Sequence, residues 1–110
     1  MYAQSPNAVV RDRFKLSDDD LTDFCLKHKI RRLALFGSIV RADFRPESDV
    51  DVLVEFDPSH TPSLLKFSGI ELGLSDLLGE RKVDLHTFKS LNKYIRDEVL
   101  SEAKVIYDKG

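Results

Sequence analysis

The hydrophobic and polar positions of the chain change period several times, from the spacing of a helix to that of a strand and back. Apolar residues recur three or four positions apart in three stretches, and each stretch begins at a serine that can cap a helix. Between them lie short apolar or alternating runs that are typical of strands. The pattern therefore predicts helices that start after Ser17, Ser63 and Ser90, and strands at residues 32–36, 50–56 and 82–87.

The order of these elements indicates the fold class. Strands that alternate with helices predict an α/β (α+β) domain, with helices packed on one face of a small mixed β-sheet. Residues 1–16 have no sustained period and are interpreted as an irregular N-terminal lead-in, so the domain is expected to span residues 17–110. The last apolar residues, 105–107, form either a further strand or a packed tail.

Composition and charge exclude several classes of protein. A chain of 110 residues, 42% hydrophobic and 33% charged, is typical of one soluble globular domain. Its formal charge of −2 gives no general attraction to nucleic acid or anionic lipid, and no apolar run reaches membrane-spanning length. The single Cys25 cannot form an internal disulfide, which fits a reducing compartment. We therefore expect a cytoplasmic protein that binds neither membranes nor nucleic acid directly.

Two aspartates open the second predicted strand. Because side chains alternate along a strand, Asp49 and Asp51 point to one side of the sheet and Val50 to the other. Two aligned carboxylates repel each other unless a cation lies between them. On its own, the pair is explained equally well as a solvated strand start. With a cation, the arrangement suggests Mg²⁺, a hard ion that prefers carboxylate oxygen and often accompanies a polyphosphate.

A glycine and a serine end the first predicted strand and lead into a short helix. Such a turn leaves backbone N–H groups unpaired, and a phosphate can accept hydrogen bonds from them. Gly37 allows a ligand to approach the backbone closely, and the Ser38 hydroxyl adds a donor. The dipeptide alone is common in turns, so it gains meaning only together with the acidic residues.

The third predicted strand supplies another acid. Asp84 and His86 lie on one side of this strand, opposite two apolar residues. If the strand lies beside the second one, Asp84 joins Asp49 and Asp51 on one polar face of the sheet. Three convergent carboxylates can hold two divalent ions, one that activates an attacking oxygen and one that binds nucleotide phosphates.

Other polar residues have structural explanations. His28 lies at the edge of an apolar helical stripe without a second ligand, so we interpret it as structural. The acids at positions 18–20 suit the positive end of a helix. Lys82 and His86 flank Asp84, and we expect both to be exposed to solvent rather than part of a pocket.

One combined motif resembles that of a known family. Gly37-Ser38 is followed after ten residues by Asp49-Val50-Asp51, and the flanking sequences are Leu-Phe-Gly-Ser and Glu-Ser-Asp-Val-Asp-Val-Leu-Val. The pattern resembles the signature of the minimal nucleotidyltransferases, members of the DNA polymerase β-like superfamily. The resemblance is closest to the small antitoxins encoded beside HEPN-domain RNase toxins, and it extends from about residue 17 over nearly the whole chain.

The resemblance implies a polymerase β-like nucleotidyltransferase fold with a site for two Mg²⁺ ions. It also implies that ATP is the substrate and that AMP is transferred to a tyrosine hydroxyl of a cognate HEPN-family RNase toxin, which neutralises the toxin. By the same resemblance, Asp49 and Asp51 would bind both metal ions. Asp84 would be the third carboxylate, which helps to activate the nucleophile.

Nucleotide-binding roles around the Gly-Ser turn also follow from the resemblance. Gly37 and Ser38 would hold the β- and γ-phosphates, and Ser48 would cap or orient the first aspartate. Arg41 occupies a position that is often arginine in the family, where it steadies the phosphates or the loop, although a merely solvated arginine is an equal alternative. Ala42 replaces a glycine that is frequent there, which alters the flexibility of the loop more than its chemistry.

Two other functions stay open. The chain is alternatively a non-catalytic binding module that neutralises its partner by occlusion, or a nucleotidyltransferase that acts on a small molecule. Retention of all three acids argues against the first, and the lack of room for an acceptor-binding domain argues against the second. We expect a stable hetero-oligomer with the toxin, formed by apolar surface on the last helix or on the N-terminal segment.

Overall fold

Helices and strands alternate along the described part of the chain, which comprises residues 16–40 and 48–109 of a computed structural model. Most of the expected lead-in and the position of Arg41 lie outside these residues. The elements in chain order are α1 (Asp18–Lys27), β1 (Ile30–Phe36), a 3-10 turn (Gly37–Val40), β2 (Val50–Phe56), α2 (Leu64–Leu77), β3 (Val83–His86), α3 (Arg96–Glu102) and β4 (Lys104–Asp108).

The strands form one mixed sheet in the order β3-β2-β1-β4. β1 runs antiparallel to both β2 and β4, whereas β2 and β3 are parallel. A parallel pair needs a long crossover, and α2 supplies it between β2 and β3. The predicted mixed α/β fold class is confirmed, and residues 105–107 belong to a strand rather than to a packed tail.

Two of the predicted helix starts are confirmed by their caps. The Ser17 hydroxyl accepts the backbone N–H of Asp20 at 3.1 Å, and the Ser63 hydroxyl accepts that of Lys66 at 3.2 Å. Each bond satisfies a donor that the first turn of a helix leaves unpaired. At the other end of α2, Gly79 adopts a positive φ of 77°, which favours glycine after a helix.

The third helix begins later than the sequence pattern predicts. Ser90 does not cap it, because Ser90 and Thr87 exchange hydrogen bonds with each other in a turn. The Asn92 side chain then accepts the backbone N–H of Tyr94 at 2.9 Å. Such local side-chain bonds compete with helical ones, and α3 therefore starts only at Arg96.

The two faces of the sheet are packed differently. α1 and α2 pack on one face, called the covered face below, where residues of all four strands are buried against both helices. The opposite face, called the site face, carries a smaller cluster in which Leu91 and Val99 pack on Phe36 and Leu53. α1 and α2 thus share one face as expected, whereas α3 contacts the other. The covered face buries Leu33, Leu35, Val52, Val54, Leu85 and Ile106 against Leu21, Cys25, Ile70 and Leu74.

Burial on the covered face is close to complete. Leu33, Leu35 and Leu74 expose none of their surface, and each such side chain contributes about 2 kcal/mol of hydrophobic stabilisation. Burial also raises the pKa of the Cys25 thiol to about 12, since a thiolate would lose its hydration there. This face of the sheet therefore supports the fold and offers no access to a ligand.

Helix length bears on membrane insertion. Among the described residues, no helix is long and apolar enough to cross a bilayer.

Candidate active site on the open face of the sheet

The register of the parallel strands brings two predicted acids side by side. Asp51 of β2 pairs with Asp84 of β3, and two positions further on Leu53 pairs with His86. Their apolar neighbours in sequence are buried on the covered face. Because side chains alternate along a strand, Asp51, Asp84 and His86 all point to the site face.

Three side chains form a compact group of potential metal ligands. One ligand atom from each of Asp51, Asp84 and His86 lies within 4.8 Å of the other two. Nε2 of His86 is 3.1 Å from Oδ2 of Asp84, and the His86 ring packs on that of Phe36 at 5.7 Å between centroids. The side chain of Asp84 is 52% exposed and that of His86 is 28% exposed. The group is therefore held by the sheet yet open to a ligand.

The remaining predicted acid lies apart from this group. Asp49 precedes the first residue of β2, and its Oδ2 is 3.8 Å from Nζ of Lys82. It is not a member of the group formed by Asp51, Asp84 and His86. The structure thus brings two of the three predicted carboxylates together and sets the third beside a lysine, which is largely exposed as expected.

Gly37 packs directly against the Asp51 carboxylate. Its φ of 76° lies in the left-handed region, and a Cβ added there would overlap Oδ2 of Asp51. No other residue fits this position without displacing the aspartate. The Gly-Ser turn and the acidic group, which the sequence linked only by spacing, are therefore in contact.

The last helix holds the Gly-Ser turn from the other side. The backbone N–H of Gly37 donates to Oε1 of Glu102 at 3.0 Å, across 65 positions of sequence. That amide is therefore engaged within the protein. Of the predicted nucleotide-binding residues, Ser38 is partly buried in the 3-10 turn and Ser48 is partly buried just before Asp49.

Two residues of the site were not predicted from the sequence. His86 was expected to be solvent-exposed, although the alternation of β3 already set it on the same face as Asp84. No local sequence pattern marks Glu102, because its hydrogen-bond partner, the amide of Gly37, belongs to a distant turn. By contrast, His28 contacts Phe24 away from the site, and burial together with Lys27 and Lys66 lowers the pKa of its imidazole. His28 therefore has the structural environment that was expected.

Comparison with known families gives this site a context. A family model described as Polymerase beta, Nucleotidyltransferase matches residues 19–110. The chain belongs to the polymerase beta nucleotidyltransferase family. As a nucleotidyltransferase, it is similar to the protein adenylyltransferase MntA of Thermococcus cleftensis, with 46% identity over 78 residues that cover 71% of this chain and 74% of that protein.

Solved structures show that this nucleotidyltransferase shares its fold with toxin–antitoxin proteins. A toxin–antitoxin structure with AMP-PNP has a TM-score of 0.67 at 20% identity, over 84% of this chain and 74% of that one. A complex of a tri-AMPylated Shewanella oneidensis HEPN toxin with its MNT antitoxin has a TM-score of 0.59 at 18% identity, over 83% of this chain and 69% of that one. At these identities the similarity establishes the fold.

Proposed function

We propose that this nucleotidyltransferase is an antitoxin that transfers AMP from ATP to a tyrosine hydroxyl of a HEPN-family RNase toxin and thereby neutralises it. The observation that carries the proposal is the contact of the Gly-Ser turn with Asp51, which itself pairs with Asp84. A phosphate-binding turn beside paired carboxylates suits the transfer of a nucleotidyl group.

The activities and complexes of similar proteins support the choice of donor and acceptor. The similar protein from Thermococcus cleftensis is named a protein adenylyltransferase, and one neighbour of the same fold contains AMP-PNP, an analogue of ATP. Another is a HEPN toxin that carries AMP, bound to an MNT antitoxin. The motif Gly37-Ser38 with Asp49 and Asp51 connects this chain to that chemistry.

The transfer forms one bond and breaks one. The tyrosine oxygen attacks the α-phosphorus of ATP, the bond from this phosphorus to the oxygen that bridges to the β-phosphate breaks, and pyrophosphate leaves. The phenolic proton passes to the Asp84 carboxylate, which is half-exposed on the site face and can release it to water. Most of the catalysis then consists of holding the two substrates in line.

The residues of the site face suit a divalent cation. Asp51 and Asp84, joined by Asp49 once its side chain turns away from Lys82, would hold two Mg²⁺ ions, which would neutralise phosphate charge. Without the ions, Lys82 offsets part of the negative charge near Asp49. Because the Gly37 amide is bonded to Glu102, the Ser38 hydroxyl and the later amides of the turn are the donors that bind the β- and γ-phosphates.

Labelled ATP tests the proposal directly. The protein, Mg²⁺, ATP labelled in the α-phosphate and the HEPN toxin encoded beside it are mixed, and the toxin band is then examined for label. We expect labelled toxin with the native chain and none with the double variant Asp49→Asn/Asp51→Asn. The matched control is Asp76→Asn, an exposed acid on α2, which should label the toxin normally.

Two results would contradict the proposal. Absence of label on the toxin with native protein would refute AMP transfer to it. If the double Asn variant still neutralised the toxin fully in cells, occlusion without catalysis would be the better account. Mass spectrometry of the labelled toxin then identifies the modified side chain, which we expect to be a tyrosine.

Exposed apolar side chains around α3 fit a contact with the toxin. Phe88, Tyr94, Ile95 and Leu100 are each more than two-fifths exposed, which is unfavourable unless a partner covers them. We expect Leu100→Glu to weaken the complex with the toxin at least tenfold, measured by titration calorimetry, since a buried charge at an interface is costly. Leu72→Glu is the control, because Leu72 is also a leucine and is even more exposed, at 69% against 51% for Leu100, but lies on α2. Equal loss in both variants would exclude a specific role for α3.

A further inference from the structure

The group formed by Asp51, Asp84 and His86 contains one imidazole, and this His86 side chain has no role in the proposed transfer. The family resemblance implies a site of carboxylates, yet the compact group of the structure contains His86 in place of Asp49. The ring of Phe36 contacts that of His86 at a tilt of 59°, and Nε2 of His86 lies 3.1 Å from Oδ2 of Asp84. An imidazole so held differs from an exposed histidine such as His60, whose Nδ1 lies 2.9 Å from the hydroxyl of its neighbour Ser59.

One distance within the group matches that between adjacent ligands of a single ion. Adjacent ligands of an octahedral ion, each at about 2.1 Å, are about 3.0 Å apart, and opposite ligands are about 4.2 Å apart. Nε2 of His86 and Oδ2 of Asp84 are separated by 3.1 Å, a hydrogen-bonding distance that also corresponds to adjacent positions around an ion. All three ligand atoms lie within 4.8 Å of one another, so little movement is needed to close them on an ion.

We propose that His86 is itself a metal ligand through Nε2, and that it makes this site prefer Mn²⁺ to Mg²⁺. Mg²⁺ takes oxygen ligands almost exclusively, whereas imidazole nitrogen suits transition metals. Among these, Mn²⁺ is the ion that shares with Mg²⁺ a preference for carboxylate oxygen, so it suits a site with two carboxylates and one imidazole. Asp51 and Asp84 supply the oxygen ligands that either ion accepts, and His86 supplies the discrimination. This inference rests on the proposed function for the position of the cation. It concerns metal binding alone, so its test requires neither ATP nor a toxin.

Binding and spectroscopy of the metal alone test this proposal. Titration calorimetry with MnCl₂ and with MgCl₂ gives the ratio of the two affinities, and we expect His86→Asn to lower the preference for Mn²⁺ about tenfold while Mg²⁺ affinity changes less. Electron spin-echo modulation of bound Mn²⁺ should show a directly coordinated nitrogen in the native protein and none in His86→Asn. His60→Asn is the matched control and should retain both the affinity ratio and the nitrogen signal.

The outcomes separate this proposal from the proposed function. Mn²⁺ binding without a coordinated nitrogen, or an affinity ratio that His86→Asn leaves unchanged, would overturn the role of His86 even if AMP transfer occurs. A nitrogen signal in a protein that labels no toxin would support His86 as a ligand and refute the transfer. Circular dichroism melting of His86→Asn shows whether the variant is folded, and His86→Gln offers a second oxygen-bearing variant if it is not.

Discussion

The two faces of the sheet are made from alternate residues of the same strands, yet they have opposite properties. On β3, Leu85 is 5% exposed and packs against the helices of the covered face, while its neighbour Asp84 has a side chain that is 52% exposed on the site face. β2 repeats this alternation with buried Val52 beside partly exposed Asp51. A single step along a strand therefore separates a residue of the core from a residue of the site.

This contrast shows how a small domain fits both a core and a reaction site. The covered face supplies the burial that stabilises the fold, so the site face can hold like charges close together. A register slip of one residue would exchange the two faces and destroy both. Substitutions on one face should therefore affect stability, and substitutions on the other should affect chemistry.

The largest expected effect belongs to the site face. Asp84→Asn should lower the rate of AMP transfer about a thousandfold, because in the proposed mechanism Asp84 is both a metal ligand and the proton acceptor. Its free energy of unfolding should change by less than about 0.5 kcal/mol, since the side chain is half-exposed. Single-turnover labelling and urea unfolding measure the two quantities. A large loss of stability would contradict the separation of the faces.

The adjacent residue should behave in the opposite way. Leu85→Ala should reduce the free energy of unfolding by about 3 kcal/mol, because it leaves a cavity between β3 and the helices. The transfer rate per folded molecule should stay near normal. The thiol of Cys25 reports opening of the covered face: its high pKa and burial make it unreactive in the native chain, and Leu85→Ala should accelerate its labelling. If Leu85→Ala does not accelerate the labelling of Cys25, the covered face is less tightly packed than its burial indicates.

Two glycines with almost the same φ angle differ in their surroundings. Gly37 and Gly79 have φ values of 76° and 77°, but only a Cβ on Gly37 would meet another group, the carboxylate of Asp51. Alanine at either position should cost about 1 kcal/mol of stability through the left-handed backbone. Only Gly37→Ala should also reduce Mn²⁺ affinity and AMP transfer. If Gly79→Ala reduced them equally, the contact with Asp51 would be irrelevant.

A last prediction concerns the hydrogen bond between α3 and the Gly-Ser turn. Glu102→Ala removes the acceptor of the Gly37 amide and should weaken ATP binding about tenfold, a loss on the scale of a positioning residue. Glu102→Gln keeps an acceptor oxygen and should retain most of the affinity. Hydrogen exchange of the Gly37 amide should accelerate in the alanine variant alone. Tighter ATP binding in Glu102→Ala would instead indicate that Glu102 competes with phosphate.

Local patterns predicted the parts of the molecule that local interactions determine. Ser17 and Ser63 cap helices through their own first turns, and Asp84 lies on the polar side of an alternating strand. The late start of α3 was not predicted, because Thr87 and Ser90 bond to each other in a turn that the apolar spacing does not reveal. The predicted third helix therefore begins several residues too early.

Contacts between distant segments account for the rest. The ring of His86 is supported by Phe36 of β1, and the carboxylate of Glu102 reaches Gly37 across 65 positions. Neither pairing has a periodic signature. The 3.8 Å contact of Asp49 with Lys82 likewise joins two segments that are distant in sequence. Such features require the fold before they can be recognised.

The most direct test of this account is the position of the cation and nucleotide. Crystals grown with Mn²⁺ and AMP-PNP would give an anomalous signal wherever the metal binds. We expect the peak on the site face, between the carboxylates of Asp51 and Asp84, with the terminal phosphates near Ser38. A nucleotide bound elsewhere, or a Mn²⁺ ion that contacts neither carboxylate, would contradict the claim that the site face of the sheet holds the active site.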